Sequence, residues 1–217
     1  MKEYQTYIFD LDGTLLDTLG DLTASTNHAL RSHGMKEHGK EAIRGFVGNG
    51  VRLLIERSVP QNTPPEAVEE VLNTFRGYYM QHHLDTTRPY PGIEDLLYRL
   101  KQHGKMTAIV SNKFDAATKE LARHFFPQTI DVAVGEHEAE GIRKKPAPDT
   151  VEEALRLLGA QKEGAVYVGD SDVDIATARN CGLPCISVLW GFRSEDFLRK
   201  CGATVCVSTP EDIFPGK

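Results

Sequence analysis

Tyr7-Ile8-Phe9-Asp10-Leu11-Asp12-Gly13-Thr14 is the stretch that decides how the rest of the chain is read. Three apolar residues end abruptly in a polar turn, as at the end of a buried strand. In extended chain, residues i and i+2 project to the same side, so Asp10 and Asp12 present two carboxylates at that end. The next seventy residues are not strand. Residues 17–85 lack strand alternation and carry helical patterns over 19–32, 51–59 and 66–82, the last after Pro64-Pro65. Strand-like runs return at 107–110, 130–134, 165–168, 185–189 and 203–207, separated by helical segments at 92–103, 115–125 and 148–158.

This order predicts an α/β fold: a three-layer, Rossmann-like core with a parallel sheet, into which an α-helical domain is inserted after the first strand. The expected boundaries are 1–16 with 86–217 for the discontinuous core and 17–85 for the insertion. Forty per cent hydrophobic and 26% charged residues are ordinary for a folded protein and argue against disorder. A net charge of −6 makes a nucleic-acid partner unexpected. No uninterrupted run of ~20 apolar residues suits a membrane span. The first residues lack a signal-peptide apolar stretch. Cys181, Cys185, Cys201 and Cys206 form no Cys-x-x-Cys pair, so the expectation is a cytoplasmic protein with reduced thiols and no zinc.

Three further motifs sit at strand ends, where open α/β sheets bind ligands. Gly169-Asp170-Ser171-Asp172-Val173-Asp174 offers Asp170 and Asp174 four residues apart, on one face if helical. Ser111-Asn112-Lys113 combines a hydroxyl, an amide and, at a helix start, free N–H groups that suit a phosphate. Arg143-Lys144-Lys145-Pro146-Ala147-Pro148 holds a lysine in a stiff segment before a helix. Converging carboxylates repel unless a proton or cation joins them, and Mg²⁺ is the natural hard-ligand partner. Each motif alone also has a plain structural reading, as a polar turn, a helix cap or a solvated basic loop.

Together and in this order, the four motifs resemble the haloacid dehalogenase superfamily along essentially the whole chain. The resemblance implies an enzyme in which Asp10 is the nucleophile and Asp12 the general acid and base. It implies that Lys145 neutralises charge, Thr14, Ser111 and Asn112 hold phosphate oxygens, and Asp10, Asp12, Asp170 and Asp174 serve Mg²⁺, Asp12 through its backbone carbonyl. Asp174 could instead orient Lys145. Asp12 favours phosphoryl chemistry, because members that cleave carbon–halogen bonds lack it. The inserted helices are similar to the family's small cap.

Within the family, Phe46-Val47-Gly48-Asn49-Gly50-Val51, Tyr90-Pro91-Gly92-Ile93 and Lys113 resemble the phosphoglycolate phosphatase branch. That resemblance implies a small phosphorylated metabolite as substrate, read by Gly48, Asn49, Arg52 or Lys113, with Arg57 a further candidate for its carboxylate. A pyrophosphatase, a sugar-phosphate phosphatase and a β-phosphoglucomutase-like enzyme are the alternatives. Leu22 stands where the mutases carry a histidine, which counts against the last. A non-catalytic binding relative would have lost one of the aspartates. A monomer or weak homodimer, with no nucleic acid or membrane partner, completes the expectation. His82-His83 is read as a surface pair, and Cys181 and Cys185 as near-core thiols. Trp190-Gly191-Phe192 follows a strand end, where a place at the cap interface and simple packing explain it equally well.

Overall fold

The computed structural model describes residues 2–214. Strand β1 (Thr6–Phe9) is buried along its whole length, because each of its residues packs between two neighbouring strands. These are β4 (Met106–Phe114) and β6 (Ala165–Gly169), both parallel to it. With β5 (Val132–Glu136), β7 (Cys185–Val188) and β8 (Val205–Val207) they form a six-stranded sheet in the order β5-β4-β1-β6-β7-β8. All five pairings are parallel. Near-continuous apolar runs such as Ala165-Val166-Tyr167-Val168 are what a strand covered on both faces requires.

The register fixes the site before any side chain is considered. Phe9 lies opposite both Ile109 and Val168, so Asp10, Ser111 and Asp170 leave the same edge of the sheet. The chain adds β4 and β5 on one side of β1 and β6, β7 and β8 on the other. Winding reverses at β1, the topological position at which open α/β sheets bind ligands.

The helices of this unit are α5 (Ile93–Gln102), α6 (Asp115–Phe125), α7 (Asp149–Leu158), α8 (Asp172–Cys181) and α9 (Glu195–Lys200). Each buries a stripe: Ile93, Leu96, Leu97 and Leu100 in α5, for instance, are all inaccessible. Burial pushes the Cys181 thiol up to about 11 and the Cys185 thiol up to about 12, so both stay protonated near neutrality.

The chain divides into two compact units. One comprises the residues up to Leu16 and from Pro89 onward; the other is Asp17–Arg88. Leu16–Asp17 (β2) and Arg88–Pro89 (β3) pair where the chain crosses between the units. The second unit holds α1 (Leu19–Ser32), α2 (Lys40–Phe46), α3 (Val51–Ser58) and α4 (Pro65–His82). Helices α1 and α4 pack along each other, burying Leu22, Ala29, Leu30, Val71, Leu72, Phe75 and Tyr79. His83 is buried rather than on the surface, its ring held against the Tyr79 carbonyl, because the last turn of α4 folds it inward.

Asp21, 2% exposed on α1, ties the ends of this unit together. Its carboxylate accepts from the Thr86 N–H and hydroxyl at 2.9 and 2.5 Å, and from the Thr87 N–H and hydroxyl at 2.9 and 2.7 Å. Asp21→Ala removes four bonds and strands the two donors of buried Thr87, at a cost of about 2–4 kcal/mol. Urea unfolding should show the loss; an unchanged midpoint would mean these bonds contribute nothing net.

Candidate active site

Asp10 follows β1 directly and is 7% exposed. Lys145 Nζ, itself buried, donates to Asp10 Oδ1 at 2.7 Å, to Asp174 Oδ1 at 2.9 Å and to the Tyr167 hydroxyl at 3.0 Å. Its neighbours in the basic run go elsewhere. Arg143 grips Asp149 with two side-chain bonds, holding that carboxyl down to about 2, and Lys144 meets Glu138 at 3.3 Å. Lys145 is placed by its backbone: the Asn112 amide accepts from Lys145 N at 2.8 Å and donates to Lys145 O at 3.1 Å. Asn112 therefore positions the lysine, beyond the phosphate contact expected of it.

Asp170 and Asp174 do not share a helical face, contrary to what their spacing predicts. Helix α8 starts only at Asp172, with Ser171 as its cap. Asp174 is the third helical residue; its Oδ2 accepts from Ser171 N and Oγ in a capping box, and its Oδ1 turns toward Lys145. Asp170 sits before the cap and accepts from Thr14 Oγ1 at 3.3 Å and from Phe192 N at 2.6 Å. One oxygen each from Asp10, Asp170 and Asp174 nevertheless lies within 4.8 Å of the others, all three residues buried.

This cluster holds more negative charge than its lysine offsets. Burial, then Asp174, pushes Asp170 up to about 7. Burial also drives Asp10 well above the usual carboxylate range, with Asp174, Asp170 and Asp12 adding to it against the pull of Lys145. Lys145 loses some basicity to burial, but Asp10 and Asp174 outweigh that and hold its ammonium firmly charged. A divalent cation fits this donor set: hard oxygen ligands, close together, with an uncompensated charge that it would remove.

Asp12 lies outside the cluster. Its Oδ1 pairs with Lys113 Nζ at 3.0 Å, the lysine 2% and the aspartate 14% exposed in their side chains. The two carboxylates of the opening motif thus each have their own lysine. Ser111-Asn112-Lys113, expected at a strand end with the free N–H groups of a helix start, instead lies within β4, which continues to Phe114 with a register shift after Val110; α6 follows from Asp115. The Ser111 hydroxyl accepts from Lys113 N at 3.2 Å.

Gly48 and Asn49 lie in the α2–α3 turn of the helical unit. Arg52, on α3, is half exposed and salt-bridged to Glu69 at 2.6 Å and Glu56 at 3.9 Å. Arg57 donates to the Phe46 carbonyl at 2.9 Å.

One residue of the site escaped sequence reasoning, and one loop that it singled out has a role it did not foresee. Tyr167, wholly buried in β6, donates to Asp174 Oδ1 at 3.2 Å and joins the Lys145 network; an aromatic in a buried strand gives no sign of that. The loop is the one after β7, where Trp190-Gly191-Phe192 does more than pack. Trp190 Nε1 donates to the Thr14 carbonyl at 3.0 Å, beside the Phe192 N–H on Asp170. Gly191 is needed there because a Cβ would run into Asp170 and the Gly13 carbonyl, and Gly13 itself holds φ +91° with the Asp170 carboxylate against it. Gly191→Ala should lower turnover at least about tenfold by shifting Asp170, with a stability loss of about 1–3 kcal/mol. Full activity in the variant would mean that this loop does not hold Asp170.

Residues 7–188 match the model of the haloacid dehalogenase-like hydrolase family, and the chain belongs to that family. A protein of Aquifex aeolicus named phosphoglycolate phosphatase is 34% identical over 85% of this chain and 84% of its own. The pyrophosphatase PpaX of Halalkalibacterium halodurans is 31% identical over 91% and 89%. A crystal structure from Lactobacillus delbrueckii subsp. bulgaricus, given the provisional name phosphoglycolate phosphatase, superposes with TM-score 0.92 at 39% identity, covering 98% of this chain and 97% of that one.

Proposed function

We propose that this chain is a Mg²⁺-dependent phosphatase that hydrolyses a small phosphomonoester, foremost 2-phosphoglycolate, through a phosphoryl group carried on Asp10. The observation that carries this reading is the buried Lys145 ammonium bridging Asp10 and Asp174 beside Asp170 at the reversal point of the sheet. Relatives named phosphoglycolate phosphatase support the substrate, and a relative named pyrophosphatase favours pyrophosphate as the second candidate.

In the proposed reaction an Asp10 oxygen bonds to phosphorus as the bond from phosphorus to the leaving oxygen breaks. Asp12 gives that oxygen a proton. Asp12 then takes a proton from water, whose oxygen attacks phosphorus and frees Asp10 and inorganic phosphate. Lys145 offsets charge on the nucleophile and the phosphoryl oxygens, and Thr14 and Ser111 are proposed to hold those oxygens. Mg²⁺, held by Asp10, Asp170, Asp174 and the Asp12 carbonyl, would supply the remaining positive charge. The helical unit is proposed as the cap, with Gly48 and Asn49 its contribution to substrate reading.

The test is phosphate release from 2-phosphoglycolate, pyrophosphate, β-glucose 1-phosphate and other sugar phosphates. The expected result is highest kcat/KM on 2-phosphoglycolate, loss of activity on chelation and recovery with Mg²⁺. Full activity in excess chelator would remove the metal assignment. A sugar phosphate as best substrate would remove the substrate assignment and leave the chemistry standing.

A further inference from the structure

We infer that Lys113 is the specificity-determining cation of this site: its ammonium receives the anionic group of the leaving group, a carboxylate on a one-carbon arm. The inference rests on the phosphatase reading above and deepens it.

Three basic residues compete for that role. Arg52 and Arg57 belong to the helical unit and are exposed to solvent, Arg52 bonded to Glu69 and Glu56 and Arg57 to the Phe46 carbonyl. Lys113 is different in kind. It belongs to the same unit as the four motif residues, on the irregular end of β4, and its side chain is 2% exposed. A buried ammonium needs an anionic partner, and here that partner is Asp12 at 3.0 Å.

That distance is informative about substrate. Asp12 is the group that must reach the leaving oxygen, so Lys113 stands one hydrogen bond from where that oxygen is handled. An anion that Lys113 can grasp must then lie very close to the ester oxygen. The carboxylate of 2-phosphoglycolate, one methylene away, meets this requirement, and so does the second phosphate of pyrophosphate. A neutral alcohol offers nothing to this cation. The lysine already has a carboxylate neighbour, so a second anion is accepted only where it can share or take over the ammonium, which has three donors. Short charge-assisted bonds of this kind discriminate strongly.

The experiment compares 2-phosphoglycolate, pyrophosphate and ethyl phosphate in the wild type and in Lys113→Met. Removing Lys113 also disturbs Asp12, but 2-phosphoglycolate and ethyl phosphate both expel an alcohol that needs its proton, so that harm largely cancels in their ratio. The ratio of kcat/KM for 2-phosphoglycolate over ethyl phosphate should fall about 100-fold in the variant. Pyrophosphate, whose phosphate leaving group needs the Asp12 proton less, gains on ethyl phosphate from that harm alone, so a fall in its ratio as well would show that Lys113 reads charge from either source. Should the Met variant fail to fold, Lys113→Gln, which can still hydrogen-bond Asp12, gives the same ratio. Equal losses on 2-phosphoglycolate and ethyl phosphate would overturn this inference and leave the phosphatase assignment intact. A wild-type enzyme with no preference for either anionic substrate over ethyl phosphate would overturn the inference together with the substrate proposed above.

Discussion

Asp10→Asn is expected to lower turnover by at least about 10³-fold while the protein stays folded. An amide nitrogen or its carbonyl oxygen cannot form the acyl phosphate that the proposed mechanism requires, so no partial route remains. The fold should tolerate the change because Asp10 is one anion too many in its surroundings. Burial and three aspartates press its carboxyl toward the neutral form. The amide keeps the shape, still offers Lys145 an acceptor, and removes repulsion from Asp170 and Asp174. The loss of the ion pair and the relief of repulsion oppose each other, and the net change should stay within about 2 kcal/mol. Thermal unfolding beside steady-state kinetics checks both halves. Substantial residual activity would remove covalent catalysis by Asp10.

Lys145→Met is expected to be nearly as damaging to the rate, by about 10³-fold, and more damaging to stability. This ammonium offsets the Asp10–Asp174 pair from a site that water barely reaches. Breaking a buried ion pair by removing one partner costs about 3–5 kcal/mol, softened here because the carboxyls can take up protons. The separation of the two effects comes from Tyr167→Phe. That variant deletes a hydroxyl that Lys145 and Asp174 both contact, but leaves the charge in place. A modest rate loss in Tyr167→Phe with a severe one in Lys145→Met is the expected pattern. If Lys145→Met folded and turned over normally, the lysine would be a structural counter-ion only.

The elements that sequence made legible are those with a long buried stripe or a fully covered strand. Helix α1 over Leu19–Ser32 and α6 over Asp115–Phe125 fall where their periodicity puts them, because several turns of each face a core. Helices α2 and α9 gave no such signal: Ile43 is the only residue of α2, and Leu198 the only residue of α9, that is fully buried. One buried residue produces no period. Asp10, Ser111 and Asp170 were legible because each follows an apolar run in a strand, and parallel register then gathers them, whereas Lys145 joins them from the loop between β5 and α7, not from a strand end. Their pairing was not. Spacing alone puts Asp170 and Asp174 on one helix face, whereas the cap at Ser171 starts the helix later and divides their tasks. Nothing local to Lys113 or Asn112 announces that one reaches Asp12 and the other grips the backbone of Lys145, since both contacts join distant parts of the chain.

The most direct test of the central claim is to trap the proposed intermediate. The enzyme is mixed with Mg²⁺ and 2-phosphoglycolate, quenched in acid during turnover and treated with borohydride, which reduces an aspartyl phosphate to homoserine. Peptide mass spectrometry then reads every aspartate. Covalent catalysis by Asp10 predicts reduction at that residue alone, dependent on substrate and metal and lost in Asp10→Asn. Active turnover with no modification at Asp10, or with modification at another aspartate, would contradict it.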